Sequence, residues 1–431
     1  MSVPISVPKC LTHMCAQCRF QRVFIAIGHS VQVGRLFAIG YFGVDAAFSK
    51  HHIFQQGYLH LLTMRDGNAR QMPLAWAMCE TESGPTYEWF ALWCKKAGLG
   101  HVLAVGTLIM SDRQKGIGKF MEAFLAAVGS CFKHILVNCK GHIAGTGRSF
   151  NQGLAWELQE ARTFEDFRSK LALIAAQSPR AAEYLDTEVD HEHTYKYMWL
   201  LLGIASFDLK TNNTTEGLNG TFVFARDQVP YRMNYMLCKW CGEHFAIHLA
   251  EALKAQAAGK LLTTWAEMLF RENVCAHARV PKVRVIKVTC AHLTHSLVTH
   301  LQQIEIAARS GHTVQRGGDG LYYVGGGQTG KSYEVDLVNK TCDCGWVTEF
   351  KMPCRHWVPV LHHQQMLSTR ERTVATIKKY WPKWALVETW VLAYTGKRVK
   401  VPPIYSGPSK DPDADRMGPP VQKHKKAGRP S

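Results

Sequence analysis

The stretch from residue 35 to 138 constrains the fold more than any other part of this chain. "RLFAIGYFGVDAAF" is a short apolar run and reads as a buried strand ending at Asp45. "YLHLLTMRDGNARQMPLAWAMCE" holds two more such runs around Asp66-Gly67, a pair whose tolerance of turn dihedrals signals a hairpin. "GPTYEWFALWCKKAGL" has helical spacing, with Trp89, Phe90, Leu92 and Trp93 on one side. "HVLAVGTLIMSD" reads as a strand ending at Asp112. "KGIGKFMEAFLAAVGSCF" reads as a helix and "KHILVNC" as a fifth strand.

The expected order is therefore strand, strand, strand, helix, strand, helix, strand. A meander of three strands followed by two crossovers is the order of a ribonuclease H-like mixed sheet, in the α/β class. Around it the chain divides by composition. Residues 1–34 read as an irregular N-terminal segment. The core runs over 35–272, with a helical insertion at about 150–205 rich in Ala, Leu and Glu. Residues 283–365 combine small strands, a glycine loop and a cysteine-histidine cluster. A helical segment follows at 366–395. The tail at 396–431 is rich in Pro, Lys and Arg and reads as disordered.

Three acids stand out in this frame. Asp45 and Asp112 end strands that such a sheet makes neighbours. Glu216 lies in "LKTNNTTEGLNGTF", just after the insertion. A single acid at a strand end is usually only a solvated cap. Three that converge make a site for two hard cations, Mg²⁺ or Mn²⁺, which take oxygen ligands and keep room for phosphate. A metal pair of this kind activates an attacking oxygen and stabilises the leaving one. The implied chemistry is phosphodiester cleavage and strand transfer.

"CDCGWVTEFKMPCRH" sets Cys342, Cys344, Cys354 and His356 in two tight pairs. Three thiolates and an imidazole suit tetrahedral zinc, and with every position filled the ion is structural. Such a knot contributes folding energy to a segment too small to hold itself together. Nearby Lys340, Lys351 and Arg355 suit contact with DNA or protein. The whole chain carries 51 Lys and Arg against 34 Asp and Glu, a formal charge of +17, which favours a polyanionic partner. No leader-like apolar segment opens it, and no run approaches the roughly 20 apolar residues of a membrane span. Its 14 cysteines are unevenly spaced and read as reduced.

Other motifs weigh less. "GGGQTGKS" matches a phosphate-binding loop, but the next residues alternate like a strand instead of opening a helix, so it reads as a hairpin turn. Cys238, Cys241, His244 and His248 span too much helix for one ion and read as packing. Cys10, His13, Cys15 and Cys18 could be the stub of a zinc module or simply unstructured. In the tail, Lys425, Lys426 and Arg429 suit a DNA groove, a nuclear import signal or a solvated end.

These residues also carry a family resemblance. "FGVDAAF…RDGNARQMPLAWAMCETESGPTYEWFALW" and "MSDRQKGIGKFMEAFLAAVGSCFKHILVNCKGHI" resemble the catalytic core of the Mutator-like element (MULE) transposases. The match runs on through a Cys-x-x-His pair, placed on Cys139 and His142 as accessory candidates, to "TNNTTEGLN" with Glu216. The Cys342–His356 knot resembles the SWIM-type zinc finger. The resemblance implies a DDE-type DNA transposase with Asp45, Asp112 and Glu216 as catalytic triad and magnesium ligands. It also implies zinc at the knot, DNA ends and target DNA as partners, a homo-oligomer and a nuclear location. A domesticated, non-catalytic DNA-binding regulator is the alternative. Two departures are plain. Ala46-Ala47 stands where the family often has Gly-Thr, and only about 35 residues precede the core.

Overall fold

A long mixed sheet forms because the apolar runs between residues 20 and 130 are short, β-rich and separated by turns. The computed structural model describes residues 11–14, 20–51, 57–113, 116–147, 149–275, 312–326, 330–397 and 399. The strands of this sheet are β1 (Leu11–Met14), β2 (Phe20–Ala26), β3 (Ala38–Phe48), β4 (Tyr58–Asp66), β5 (Gln71–Cys79), β6 (Leu108–Ser111) and β7 (Ala127–Ser130). Their spatial order is β1-β2-β5-β4-β3-β6-β7. β3, β4 and β5 form an antiparallel meander, and β6 and β7 continue it in parallel with β3. β4 and β5 are buried almost end to end, because helices cover both faces of the sheet. The helix Gly84–Lys96 lies on the face of His60, through Tyr87 and Phe90. The helix Asn213–Thr221 lies on the opposite face, against Thr63 and Arg65.

Several expectations change. The segment 1–34 is not irregular throughout. β2 pairs with β5, Val23, Phe24 and Ile25 are buried, and a helix spans Gly28–Phe37. "KHILVNC" is not a strand but part of the helix Phe132–Ile143. It buries Phe132, Ile135, Leu136, Cys139 and Ile143, a helical period that a seven-residue window hides. The fifth core strand is instead "AVGS", whose small residues carry little β signal. The helix expected over 115–132 shrinks to Gly118–Met121. The strand ended at Asp45 runs on to Phe48.

The insertion is helical, as expected. It comprises Gln152–Gln159, Phe164–Gln177, Pro179–Glu183 and Lys196–Leu201. Thr163 caps its second helix, accepting from Asp166 N, with Glu165 and Asp166 in the first turn. Together with the 132–143 helix it closes a small core of its own around Phe132, Phe167, Ile174 and Tyr195.

The rest of the chain does not form a separate core. After the insertion come two helices, Pro230–Ala257 and Thr264–Cys275, separated at Gly259, whose φ is +69°. A second sheet, ordered β11-β10-β9-β8, is built from β8 (His312–Arg316), β9 (Leu321–Gly326), β10 (Tyr333–Asp336) and β11 (Thr341–Cys342). β9 and β10 pair antiparallel on either side of the glycine loop, so strand follows strand and no helix opens there. Residues 327–329 of that loop lie outside the described residues. The expected helical segment after 365 is Arg370–Tyr380 and Val387–Tyr394. Its last helix joins the first core, where Trp390 stacks on Phe37 at 6.2 Å.

Asp66, Gly67 and Asn68 anchor that closure. The buried Asp66 carboxylate accepts from Asn68 N and Arg70 N, and from Tyr394 Oη at 2.8 Å. Asn68 Oδ1 accepts from Trp265 N. A Cβ on Gly67 would sit 2.0 Å from the Trp384 carbonyl oxygen, so no other residue fits there. The hairpin turn read from sequence is thus also the seat of the C-terminal helices. Among the described residues no helix is long and apolar enough to cross a membrane.

Candidate functional site

The sheet brings two of the expected acids together. β3 and β6 pair in parallel with Gly43 opposite Met110. Asp45 lies two residues past Gly43 on β3, and Asp112 directly follows β6, near enough for its charge to act on Asp45. The 213–221 helix brings Glu216 and Asn219 to this edge. Asn219 Nδ2 donates to Asp45 Oδ2 at 3.0 Å. The close approach of that helix depends on Gly43. A Cβ there would lie 2.1 Å from Thr215 Oγ1 and 2.6 Å from Asn212 Oδ1. Asn212 in turn donates from Nδ2 to Val44 O at 3.0 Å and accepts from Thr215 Oγ1 at 2.9 Å.

The electrostatics of this edge are unfavourable by construction. Burial pushes the Asp45 carboxyl up to about 7, and the charges of Asp112, Glu82 and Glu216 add to that rise. Glu82, in the turn after β5, is raised by burial and by Asp112, while Tyr87 Oη donates to it at 3.0 Å. Glu82 therefore belongs to the group. Sequence reading passed over it within "CETES", where nothing distinguishes it from Glu80. Clustered carboxylates that hold one another's protons are what a divalent cation relieves.

Glu216 has further neighbours. Lys133 Nζ donates to its Oε2 at 2.8 Å, and Cys131 Sγ lies 4.0 Å from its Oε1. His134 Nδ1 lies 3.9 Å from the same oxygen. Cys139 and His142 do not join this edge. Cys139 is sealed in the insertion's core, and His142 Nε2 bonds Glu188 Oε1 at 2.8 Å. The Cys-x-x-His pair beside the acids is Cys131 and His134, eight residues earlier and at the same spacing. That spacing was the available signal. The misplaced strand over 133–139 hid it.

The cysteine-histidine knot is assembled. Cys342, Cys344, Cys354 and His356 have their ligand atoms within 4.8 Å of one another. His356 Nδ1 lies 3.6 Å from Cys342 Sγ and 3.8 Å from Cys354 Sγ. A tetrahedral zinc site with bonds of 2.0–2.3 Å has edges of roughly 3.3–3.8 Å, so these four could hold a zinc-like ion with little movement. Tyr333 stacks on His356 from behind at 3.9 Å, and Arg355 Nε lies 3.1 Å from Nε2, a contact that would have to open once Nδ1 held an ion and Nε2 carried the ring proton.

The knot is clamped to the insertion by Glu349. This buried carboxylate pairs with Arg162 Nη1 at 2.7 Å. Lys196 Nζ lies 2.8 Å from its other oxygen, an ion contact angled outside good hydrogen-bond geometry. Lys351 Nζ donates to Gly203 O, Arg355 N to Asn273 Oδ1 and Lys340 Nζ to Lys379 O. These three basic residues, expected to face DNA or protein, therefore spend groups on internal contacts. Lys425, Lys426 and Arg429, and Cys10, Cys15 and Cys18, lie outside the described residues. Cys238 and Cys241 are buried, His244 stacks on Trp240, and His248 Nδ1 meets Tyr394 Oη at 3.0 Å, so this quartet is packing.

No protein-family model matches this chain, and a search of curated proteins finds no relative.

Proposed function

We propose that the chain is a DDE-type DNA transposase of the Mutator-like class, built on a ribonuclease H-like core. The observation that carries the reading is the approach of Asp112, just past the end of β6, to Asp45 on the neighbouring parallel strand β3, with the charge of Glu216 also acting on Asp45. The strand order, an antiparallel meander extended on its first strand by two parallel strands, supports the core assignment. Two Mg²⁺ or Mn²⁺ ions would be held by Asp45, Asp112 and Glu216, with Glu82 close by. They would supply an activated oxygen nucleophile and charge neutralisation for in-line attack on a phosphodiester. Asn219 orients Asp45 through its amide. Tyr87 does the same for Glu82.

Zinc at Cys342, Cys344, Cys354 and His356 fits a building role, since no ligand position is left for water. The excess of basic residues supports a DNA partner. The test is nicking and strand transfer on DNA bearing the terminal repeats that flank the gene, with Mg²⁺ or Mn²⁺. The reading expects metal-dependent cutting that Asp112→Asn abolishes. Tight DNA binding without cutting would favour the regulator instead.

A further inference from the structure

The cluster beside the acid edge has a chemistry that the acids alone do not need. Cys131 precedes the 132–143 helix and His134 lies in its first turn, three residues apart and so on one face. Both side chains meet Glu216, which arrives from the 213–221 helix. The three ligand atoms lie within 4.8 Å of one another. Cys131 is fully buried. His134 Nδ1 is also buried and has no hydrogen-bond partner, although the outer side of the ring is exposed. An imidazole nitrogen left bare in a protein interior costs free energy unless something binds it.

We propose that Cys131, His134 and Glu216 form a second transition-metal site, selective for a borderline divalent ion such as Zn²⁺ over Mg²⁺. One sulfur, one nitrogen and one oxygen are the donor set that zinc accepts and magnesium refuses. Sulfur-to-oxygen and nitrogen-to-oxygen separations of 4.0 and 3.9 Å exceed tetrahedral edges by only a few tenths of an ångström, so small side-chain rotations close the site. Three protein ligands leave a fourth position open, unlike the Cys342–His356 knot. Lys133, on the other oxygen of Glu216, does not block it. That contact is an exposed ion pair, 54% exposed at the lysine side chain, and such pairs are held by no more than about 1 kcal/mol.

The consequence for activity rests on the reading of Glu216 as the third carboxylate. An ion held by Cys131 and His134 draws Glu216 away from Asp45 and Asp112. Zinc at this position would then oppose the magnesium reaction, making the transposase sensitive to the cell's free zinc.

The experiment is a cobalt titration of the full, reduced, metal-free chain, read by the visible absorption of thiolate-bound Co²⁺. Two equivalents are expected in the wild type, one at each cluster. Cys131→Ser and His134→Gln should each bind one. His134→Gln alters a half-exposed ring and leaves the core intact, so it separates ligand loss from misfolding. A wild type that binds one equivalent or none, or a second equivalent that survives both substitutions, overturns the site. In a parallel nicking assay driven by Mg²⁺, zinc should suppress cutting, and His134→Gln should need at least about ten-fold more zinc for the same effect. A chain that binds the second cobalt but never nicks contradicts the transposase reading and leaves the metal site standing.

Discussion

The cysteine-histidine knot and the carboxylate edge are both places where ligands converge, but they are assembled in opposite ways. The knot draws Cys342 and His356 from positions 14 apart, and a short strand and two short helices set its geometry. The edge joins Asp45 to Asn219 across 174 positions and exists only once the sheet has formed. The knot is braced, with Tyr333 stacked behind the histidine and Glu349 paired with Arg162 at its base. The edge gathers like charges and holds a proton on Asp45 near neutral pH. The knot offers a complete set of four donors, whereas the edge is left short of positive charge. That shortfall is what the proposed reading assigns to divalent ions.

The largest effect should come from taking the ion out of the knot. Cys354→Ser, or a strong chelator, removes a contribution on the order of 10 kcal/mol to the folding of that segment. Limited proteolysis should then cut within 312–365 while the first sheet stays protected. Next is the clamp. Glu349→Ala removes the buried carboxylate shared by Arg162 and Lys196, though Lys196 Nζ keeps its bond to Asp208 Oδ1 at 2.7 Å, and should cost about 1–3 kcal/mol in denaturant unfolding. It should also loosen the knot from the insertion, seen as faster amide exchange in both. Gly43→Ala comes third. Its Cβ would drive the 213–221 helix off the sheet, for a loss of about 1–3 kcal/mol and a displaced Glu216.

The smallest shift has the opposite sign. Asp45 has a folded pKa of about 7, above the 3.8 of an ordinary aspartate. Between those values the folded chain holds more protons than the unfolded one, so this group's contribution to stability falls as pH rises from about 4 to 7. Asp45→Asn should therefore stabilise the metal-free protein at pH 8 by about 1–3 kcal/mol and change little at pH 4. Equal melting temperatures for the two proteins at pH 8 would mean that the edge is not strained.

How much of this was legible follows from the same contrast. The knot could be read directly, because its ligands and spacing are local. So could Asp45 and Asp112, because each sits at the end of an apolar run. The edge was only partly legible. Glu82 looks like any loop acid, and its place depends on how the β5 turn folds back. Cys131 and His134 were hidden by reading the apolar "HILV" as a strand, when Phe132, Ile135, Leu136 and Cys139 repeat at helical spacing. The strand that replaced it, "AVGS", is held by parallel pairing with β6 rather than by its own residues. β2 escaped notice because Gln21 and Arg22 interrupt its apolar run, and it pairs with β5 far along the chain. The docking of the last helix on Asp66 is a contact 328 positions long that no local pattern carries.

The most direct test of the central claim is calorimetric titration of Mn²⁺ into the zinc-loaded chain at pH 6.5, in two buffers of different ionisation heat. The account expects manganese to bind at the acid edge, to release protons as Asp45 ionises, and to lose that binding in Asp112→Asn while the knot keeps its zinc. Manganese binding that is absent, or that Asp112→Asn leaves undiminished and without proton release, would contradict it.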